Sequence, residues 1–176
     1  AGDLLGAEIA AARDIGVRFH PTRGSMSLSE KDGGLPPDHV VQDDDTILAQ
    51  SAEAVARYHD RSHGAMVRVA LAPCSPFSVT EDLMRRSAEL AEQLDVRLHT
   101  HFAENSEDDE FSVATFGCRP TEYLERTGWC TDRTWVAHCV MPNHDEVQRL
   151  GRAGIGAAHC PSSNLILASG IAPVVD

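Results

Sequence analysis

Apolar positions along the chain alternate between helical and strand periods. Residues 3–15 carry Leu4, Leu5, Ile9 and Ala12 on one helical stripe, and Gly16 stands where a C-cap belongs. Residues 17–20 (Val-Arg-Phe-His) predict a short strand. A stretch rich in Gly, Pro, Ser and Asp then runs from Pro21 to about Asp45, and a helix over 47–59 uses Val55 and Tyr58. Residues 67–72 predict a buried strand ending at Pro73-Cys74-Ser75-Pro76. Thr80 is placed to cap the next helix, with Glu81 and Asp82 in its first turn and Leu83, Ser87, Leu90 (or Ala91) and Leu94 on its apolar face. Strands are expected over 96–102, 135–139 and 154–159. Between them fall an acidic loop, a short helix over 120–127 stopped by Gly128, and a helix bearing Val147 and Leu150. Asn143 with Glu146 predicts a capping box for that last helix, and 160–164 read as a polar turn.

Five strands, each separated from the next by a helical segment, imply an α/β fold with parallel strands and right-handed crossovers. The pattern leaves two architectures open, a doubly wound sheet or part of a barrel. No Gly-x-Gly-x-x-Gly or P-loop sequence follows any strand, which counts against a nucleotide-binding sheet. A chain of 176 residues is also too short for a complete (β/α)₈ barrel, which takes about 250. The stretch after the first expected strand is longer than a plain connection, so it either covers a site or is disordered.

Hydrophobic content of 42% and charged content of 24% exclude wholesale disorder. No apolar run is long enough to span a bilayer, so no membrane partner is expected. Fifteen basic against twenty-seven acidic residues give a net charge of −12, which disfavours nucleic acid or an anionic membrane as partner. The five cysteines form no Cys-x-x-Cys pair and are odd in number. That disfavours a zinc ribbon or a disulfide framework and points to a reducing, cytoplasmic location. All but Cys74 read as small buried hydrophobes.

Nine histidines are about twice an average share, and four of them, His20, His101, His138 and His159, fall at or near the carboxyl ends of expected strands. In parallel α/β architectures ligands bind at that end. Within Leu98-His99-Thr100-His101-Phe102-Ala103-Glu104, alternation puts His99 and His101 on one face. Imidazole suits zinc, and Glu104, just past the strand, is positioned to exchange a proton with a metal-polarised water. Spacing alone leaves open that both histidines are merely hydrogen-bonded and that Glu104 is a solvated loop acid. His138, on the next strand end, lies within reach of His101. No role is assigned to His20, His99 or His159.

The run His101-Phe102-Ala103-Glu104, then Ala137-His138-Cys139, then His159-Cys160-Pro161-Ser162-Ser163-Asn164 and Gly170-Ile171-Ala172-Pro173 resembles the amidohydrolase superfamily. The likeness is to its cytosine-deaminase-like branch of aromatic-ring deaminases and triazine hydrolases. Residues 18–27 and 32–38 are most similar to the group within that branch that deaminates 8-oxoguanine. The resemblance implies a (β/α)₈ TIM barrel holding one divalent metal, usually Zn²⁺. It implies that His101 is a metal ligand and Glu104 the proton shuttle, and that His138 orients the attacking hydroxide and stabilises the adduct. Cys74 stands where related adenosine-type deaminases carry a substrate-contacting histidine, and Cys74 and Arg23 are carried as substrate-pocket candidates. The absence of lysine from 67–72 agrees with a single-metal site.

The superfamily's His-x-His of strand one and aspartate of strand eight have no counterpart here. The resemblance therefore implies an incomplete barrel domain over 1–176, roughly strands three to seven of a longer polypeptide, for which a homo-oligomer is among the expected assemblies. This segment alone is expected neither to bind zinc tightly nor to turn over substrate. The implied activity is hydrolytic deamination of a small purine-like heteroaromatic ring, giving urate and ammonia from 8-oxoguanine. An s-triazine chloro- or aminohydrolase and a non-catalytic barrel scaffold are the competing readings.

Overall fold

The computed structural model describes residues 3–175. Strands β1 (Thr22–Ser25), β2 (Ala70–Pro73), β3 (Leu98–Phe102), β4 (Thr134–His138) and β5 (Gly156–Ala158) form one sheet in the order β1-β2-β3-β4-β5. Every pair is parallel. Strand order never reverses, so the switch point that defines a doubly wound sheet is missing, and the sheet grows in one direction as a barrel does. The open choice between the two architectures is thereby decided.

Helices α1 (Leu4–Ile15), α2 (Asp44–Tyr58), α3 (Glu81–Leu94), α4 (Ser106–Phe116), α5 (Pro120–Arg126), α6 (His144–Ala153) and α7 (Pro161–Ile166) connect the strands. Their ends follow local chemistry. The Thr80 hydroxyl accepts the Leu83 N–H at 2.9 Å to start α3. Asn143 and Glu146 exchange hydrogen bonds as the expected capping box of α6. Gly16 caps α1 with φ 78°.

The two faces of the sheet differ in kind. Leu71, Leu98, Phe102 and Val136 are buried with Leu83 and Met84 of α3 and Tyr123 and Leu124 of α5. Trp129 sits wholly inside this layer, its Nε1–H donating to the Met84 carbonyl at 2.8 Å. The opposite face carries His99, His101 and Trp135, all only half-buried. In a parallel barrel this second face lines the interior, and its carboxyl end carries the chemistry.

Three expectations need correction. Residues 17–20 make only an isolated bridge, Phe19 to Val67, and the first strand proper is β1. Pro21 has no N–H to give to a ladder, so the extended segment is interrupted just where the apolar pattern was clearest. His20 therefore precedes β1 instead of standing at a strand's carboxyl end. The acidic loop is helix α4, whose N-terminus is capped by the Asn105 side chain on the Asp108 N–H at 3.0 Å. Glu107, Asp108 and Asp109 occupy its first turn, where the helix dipole favours anions. The polar turn after β5 is the short helix α7, with Pro161 in the first turn, where a missing N–H costs nothing.

The long stretch after β1 is ordered and holds two single turns of 3₁₀ helix, Glu30–Asp32 and Asp38–Val40. It folds over the end of β2, with the Leu28 N–H on the Ser78 carbonyl and the Leu35 N–H on that of Phe77. Gly34 permits the close turn: a Cβ there would fall 2.2 Å from the Leu28 carbonyl oxygen.

Candidate active site

His101 projects from β3 onto the interior face, and its Nδ1 lies 2.6 Å from the Cys74 carbonyl oxygen. A carbonyl only accepts, so Nδ1 carries a hydrogen, and in the neutral ring the lone pair is on Nε2. That is the tautomer and orientation a metal-ligating histidine needs. The Cys74 Sγ lies 3.8 Å from the same Nδ1. Their pairing lowers the Cys74 thiol and, against the opposing effect of burial, raises His101 to about 9.

Simple alternation along β4 would place His138 with Val136 on the helix side. The backbone overrides it: His138 and Cys139 adopt φ of 70° and 51° in succession. Non-glycine residues pay for this conformation, about 1–3 kcal/mol each, and such strain concentrates at functional sites. The turn brings the His138 imidazole against His101, ring centroids 5.4 Å apart and planes 27° apart. Ala103, with φ 44°, bends the chain likewise at the end of β3. Glu104 follows, and its Oε1 reaches 3.5 Å from the His138 Nδ1. His101, Glu104 and His138 are thus brought together at the carboxyl end of adjacent strands.

Three further side chains hold this group, and spacing gave no signal for any of them. Asp108 accepts the Glu104 N–H at 2.8 Å, and burial raises its carboxyl. The Ser169 hydroxyl donates to the Glu104 Oε1 at 3.2 Å. Asn164 lies with its Oδ1 2.8 Å from the His138 Nδ1. Only Asn164 falls inside a motif quoted above, and there nothing distinguished it from its neighbours.

A cavity of about 480 Å³ opens beside His101, lined by Met26, Val40, Ala72, Cys74 and His99 among others. Cys74 is therefore placed where a ring bound near His101 would meet it. The Arg23 guanidinium is held by Gln42 (2.8 Å) and Gln50 and lines an adjoining cleft of about 710 Å³, which shares Thr22, Gly24 and Gln42 with the first and is otherwise walled mainly by α1 and α2 residues. His99 donates through Nδ1 to the Trp135 carbonyl at 3.0 Å and stacks on that indole, while His20 lies against the same indole at 5.1 Å. Burial lowers both imidazoles. His159 lines another cavity, with Val136 and Leu150.

Among the described residues no group of three or more His, Cys, Asp or Glu side chains is arranged to hold a metal ion. Here the chain offers an oriented imidazole, His101, flanked by the Glu104 acid and a second oriented imidazole, His138. That donor set fits one edge of a metal site.

Sheet order, the interior histidines and the strained strand ends define a site at the rim of a parallel barrel, and comparison gives the family. Residues 5–176 match the amidohydrolase family, and the chain belongs to it. It is 54% identical over 169 residues to the 8-oxoguanine deaminase of Pseudomonas aeruginosa, covering 96% of this chain and 38% of that protein. It is 36% identical to hydroxydechloroatrazine ethylaminohydrolase of Pseudomonas sp. strain ADP, over 90% of this chain and 33% of that one. Its fold matches atrazine chlorohydrolase from Arthrobacter aurescens TC1, solved in complex with zinc, with a TM-score of 0.94 at 37% identity. That match covers 99% of this chain and 38% of the other. The chain thus spans between a third and two fifths of the length of these relatives, and its strands form part of a TIM barrel.

Proposed function

We propose that the polypeptide containing this chain is a metal-dependent aminohydrolase that deaminates a purine-like ring, converting 8-oxoguanine to urate and ammonia. The observation that carries the proposal is the meeting of His101, Glu104 and His138 at one rim. The 54% identity to an 8-oxoguanine deaminase supports the choice of ring. The barrel would be completed outside residues 1–176, and this segment alone would be inactive, because it contributes one metal ligand where a stable site needs several.

His101 would hold the metal, zinc by analogy with the zinc-bound neighbour, through Nε2. When bound, the metal would make water a competent nucleophile near neutral pH. Glu104 takes the proton released as water attacks and passes it to a ring nitrogen, so that the amine-bearing carbon becomes electrophilic. The new C–O bond forms, Glu104 takes the second proton from the added hydroxyl and gives it to the amine, and the C–N bond breaks to release ammonia. His138, its Nδ1–H directed at Asn164 and Glu104, presents the Nε2 lone pair to the site, where it accepts a hydrogen bond from the attacking water and orients it. Cys74 contacts the ring, whereas Arg23, held by Gln42 and Gln50, is left outside the set.

Five free cysteines among the described residues fit a reducing cytoplasm, and the acidic surface fits a small neutral or cationic heteroaromatic partner over a polynucleotide.

A second reading, an s-triazine hydrolase, is favoured by the 0.94 TM-score to the atrazine chlorohydrolase. Steady-state assays of the purified full-length polypeptide with 8-oxoguanine and with hydroxyatrazine separate the two. We expect kcat/KM for 8-oxoguanine to exceed that for hydroxyatrazine by at least about 100-fold, because polar groups built for one ring are left unpaired by another. The reverse order would favour the triazine reading. Turnover of neither ring by a metal-loaded protein would favour a non-catalytic scaffold.

A further inference from the structure

Helix α7 and the turn after it touch both proton-handling side chains. Asn164, 1% exposed, places its Oδ1 2.8 Å from the His138 Nδ1. Ser169 donates its hydroxyl to Glu104. The Ser169 N–H is in turn bonded to the Asn164 carbonyl at 2.9 Å, so the two clasps are tied into one turn. That turn is strained at Ala168, with φ 55°, and Gly170 supplies a φ of 120° that other residues rarely adopt. A Cβ on Gly170 would lie 3.1 Å from the Val140 side chain, two residues past His138. The segment is thus fitted closely against the strand end it supports.

The chemistry around His138 Nδ1 is one-sided. Its two polar neighbours are the Asn164 carboxamide oxygen and, at 3.5 Å, the Glu104 carboxylate. A nitrogen facing two acceptors must bear the hydrogen. The Asn164 Nδ2, meanwhile, is buried and finds no hydrogen-bond partner among the described residues. Rotating the amide by 180° would aim that N–H at Nδ1 and select the opposite tautomer, but the carboxylate beside Nδ1 opposes it. The orphaned donor is what holding Oδ1 on the imidazole costs.

We propose that Asn164 is a positioning residue: it fixes His138 as the Nδ1–H tautomer and aims Nε2 into the site, while Ser169 on the same turn holds Glu104 in register with it. This rests on the deaminase reading for its consequence in catalysis, but not for its structural content. A second-layer group of this kind is worth about 10–100-fold in activity.

The test compares Asn164→Asp with Asn164→Leu in the full-length polypeptide, reading kcat and the ring-nitrogen ¹⁵N resonances of His138. Asp keeps an acceptor at Oδ1, whereas Leu keeps the volume and removes it. We expect wild type and Asn164→Asp to show a protonated Nδ1 and a bare Nε2. Asn164→Leu should show a mixture of tautomers and a kcat lowered about 10–100-fold, with KM changed less than about threefold. A residue that merely fills space would give the reverse order, since Leu would be tolerated and a buried Asp would not. A proton on Nε2 in the wild type, or an unchanged spectrum and kcat in Asn164→Leu, overturns the proposal. An Asn164-dependent Nδ1–H in a protein that does not deaminate 8-oxoguanine supports the positioning role and overturns the deaminase reading instead.

Discussion

Replacing Glu104 with Gln is expected to lower kcat about 10²–10⁴-fold, the usual worth of a positioned general acid–base. Gln keeps the shape and accepts the Ser169 hydroxyl, but it cannot take a proton from water or return one to a ring nitrogen. Metal content should therefore stay at the wild-type level, and KM should change little. Steady-state kinetics with metal analysis of the same preparation checks both halves. Full activity in Glu104→Gln would remove the residue from the mechanism. Loss of metal along with activity would make it part of the metal's support.

The second large effect concerns the layer that carries β3 and β4. Trp129 is completely buried between α3 and α5 residues, and its indole N–H satisfies the Met84 carbonyl. Trp129→Ala would remove the largest side chain of that layer and one hydrogen bond to the Met84 carbonyl, which helix α3 continues to satisfy. We expect a loss of about 3–5 kcal/mol, the range for deleting a large aromatic from a packed core. Urea unfolding of the full-length polypeptide, followed by circular dichroism, measures it. A change below about 1 kcal/mol would mean that the site's strand ends are held by something other than this layer.

Much of this architecture is written locally in the chain. Thr80 and the Asn143–Glu146 pair announce their helices because a cap is satisfied within three or four residues, and the structure shows both. Strands β2, β3 and β4 are found because buried strands are short runs rich in apolar residues. The errors have physical causes of the same scale. β1 is polar and follows a proline, so its pairing with Ala70–Pro73 is decided by the neighbouring strand and leaves no apolar mark. In α4 the only buried residue is Ser112 and Val113 is exposed, so no apolar stripe betrays the helix.

The site divides in the same way. His101 was legible because strand alternation puts it beside His99 on one face, and the structure keeps it there. The meeting of Glu104 and His138 was not legible from period, since alternation sends both to the helix side. Left-handed backbone at Ala103, His138 and Cys139 turns them inward. Side chains from residues 164 and 169 then complete the group, and no sequence interval encodes a contact across 26 or 65 residues. Arg23 shows a further limit: no sequence interval tells that Gln42 and Gln50 hold its guanidinium.

The central claim is that the His101 imidazole and the acid–base pair beside it are built around a metal ion. Zinc binding to the purified full-length polypeptide, measured across pH for wild type and for His101→Ala, tests it most directly. With His101 raised to about 9 in the metal-free protein, its Nε2 proton must leave before the metal can bind. Wild-type affinity should therefore climb about tenfold per pH unit on approaching that value, and level off above it. His101→Ala should bind more weakly by over about 100-fold, beyond what losing a mere hydrogen-bonding neighbour causes, and should lose that part of the pH dependence. Zinc bound as tightly by His101→Ala as by the wild type would contradict the account.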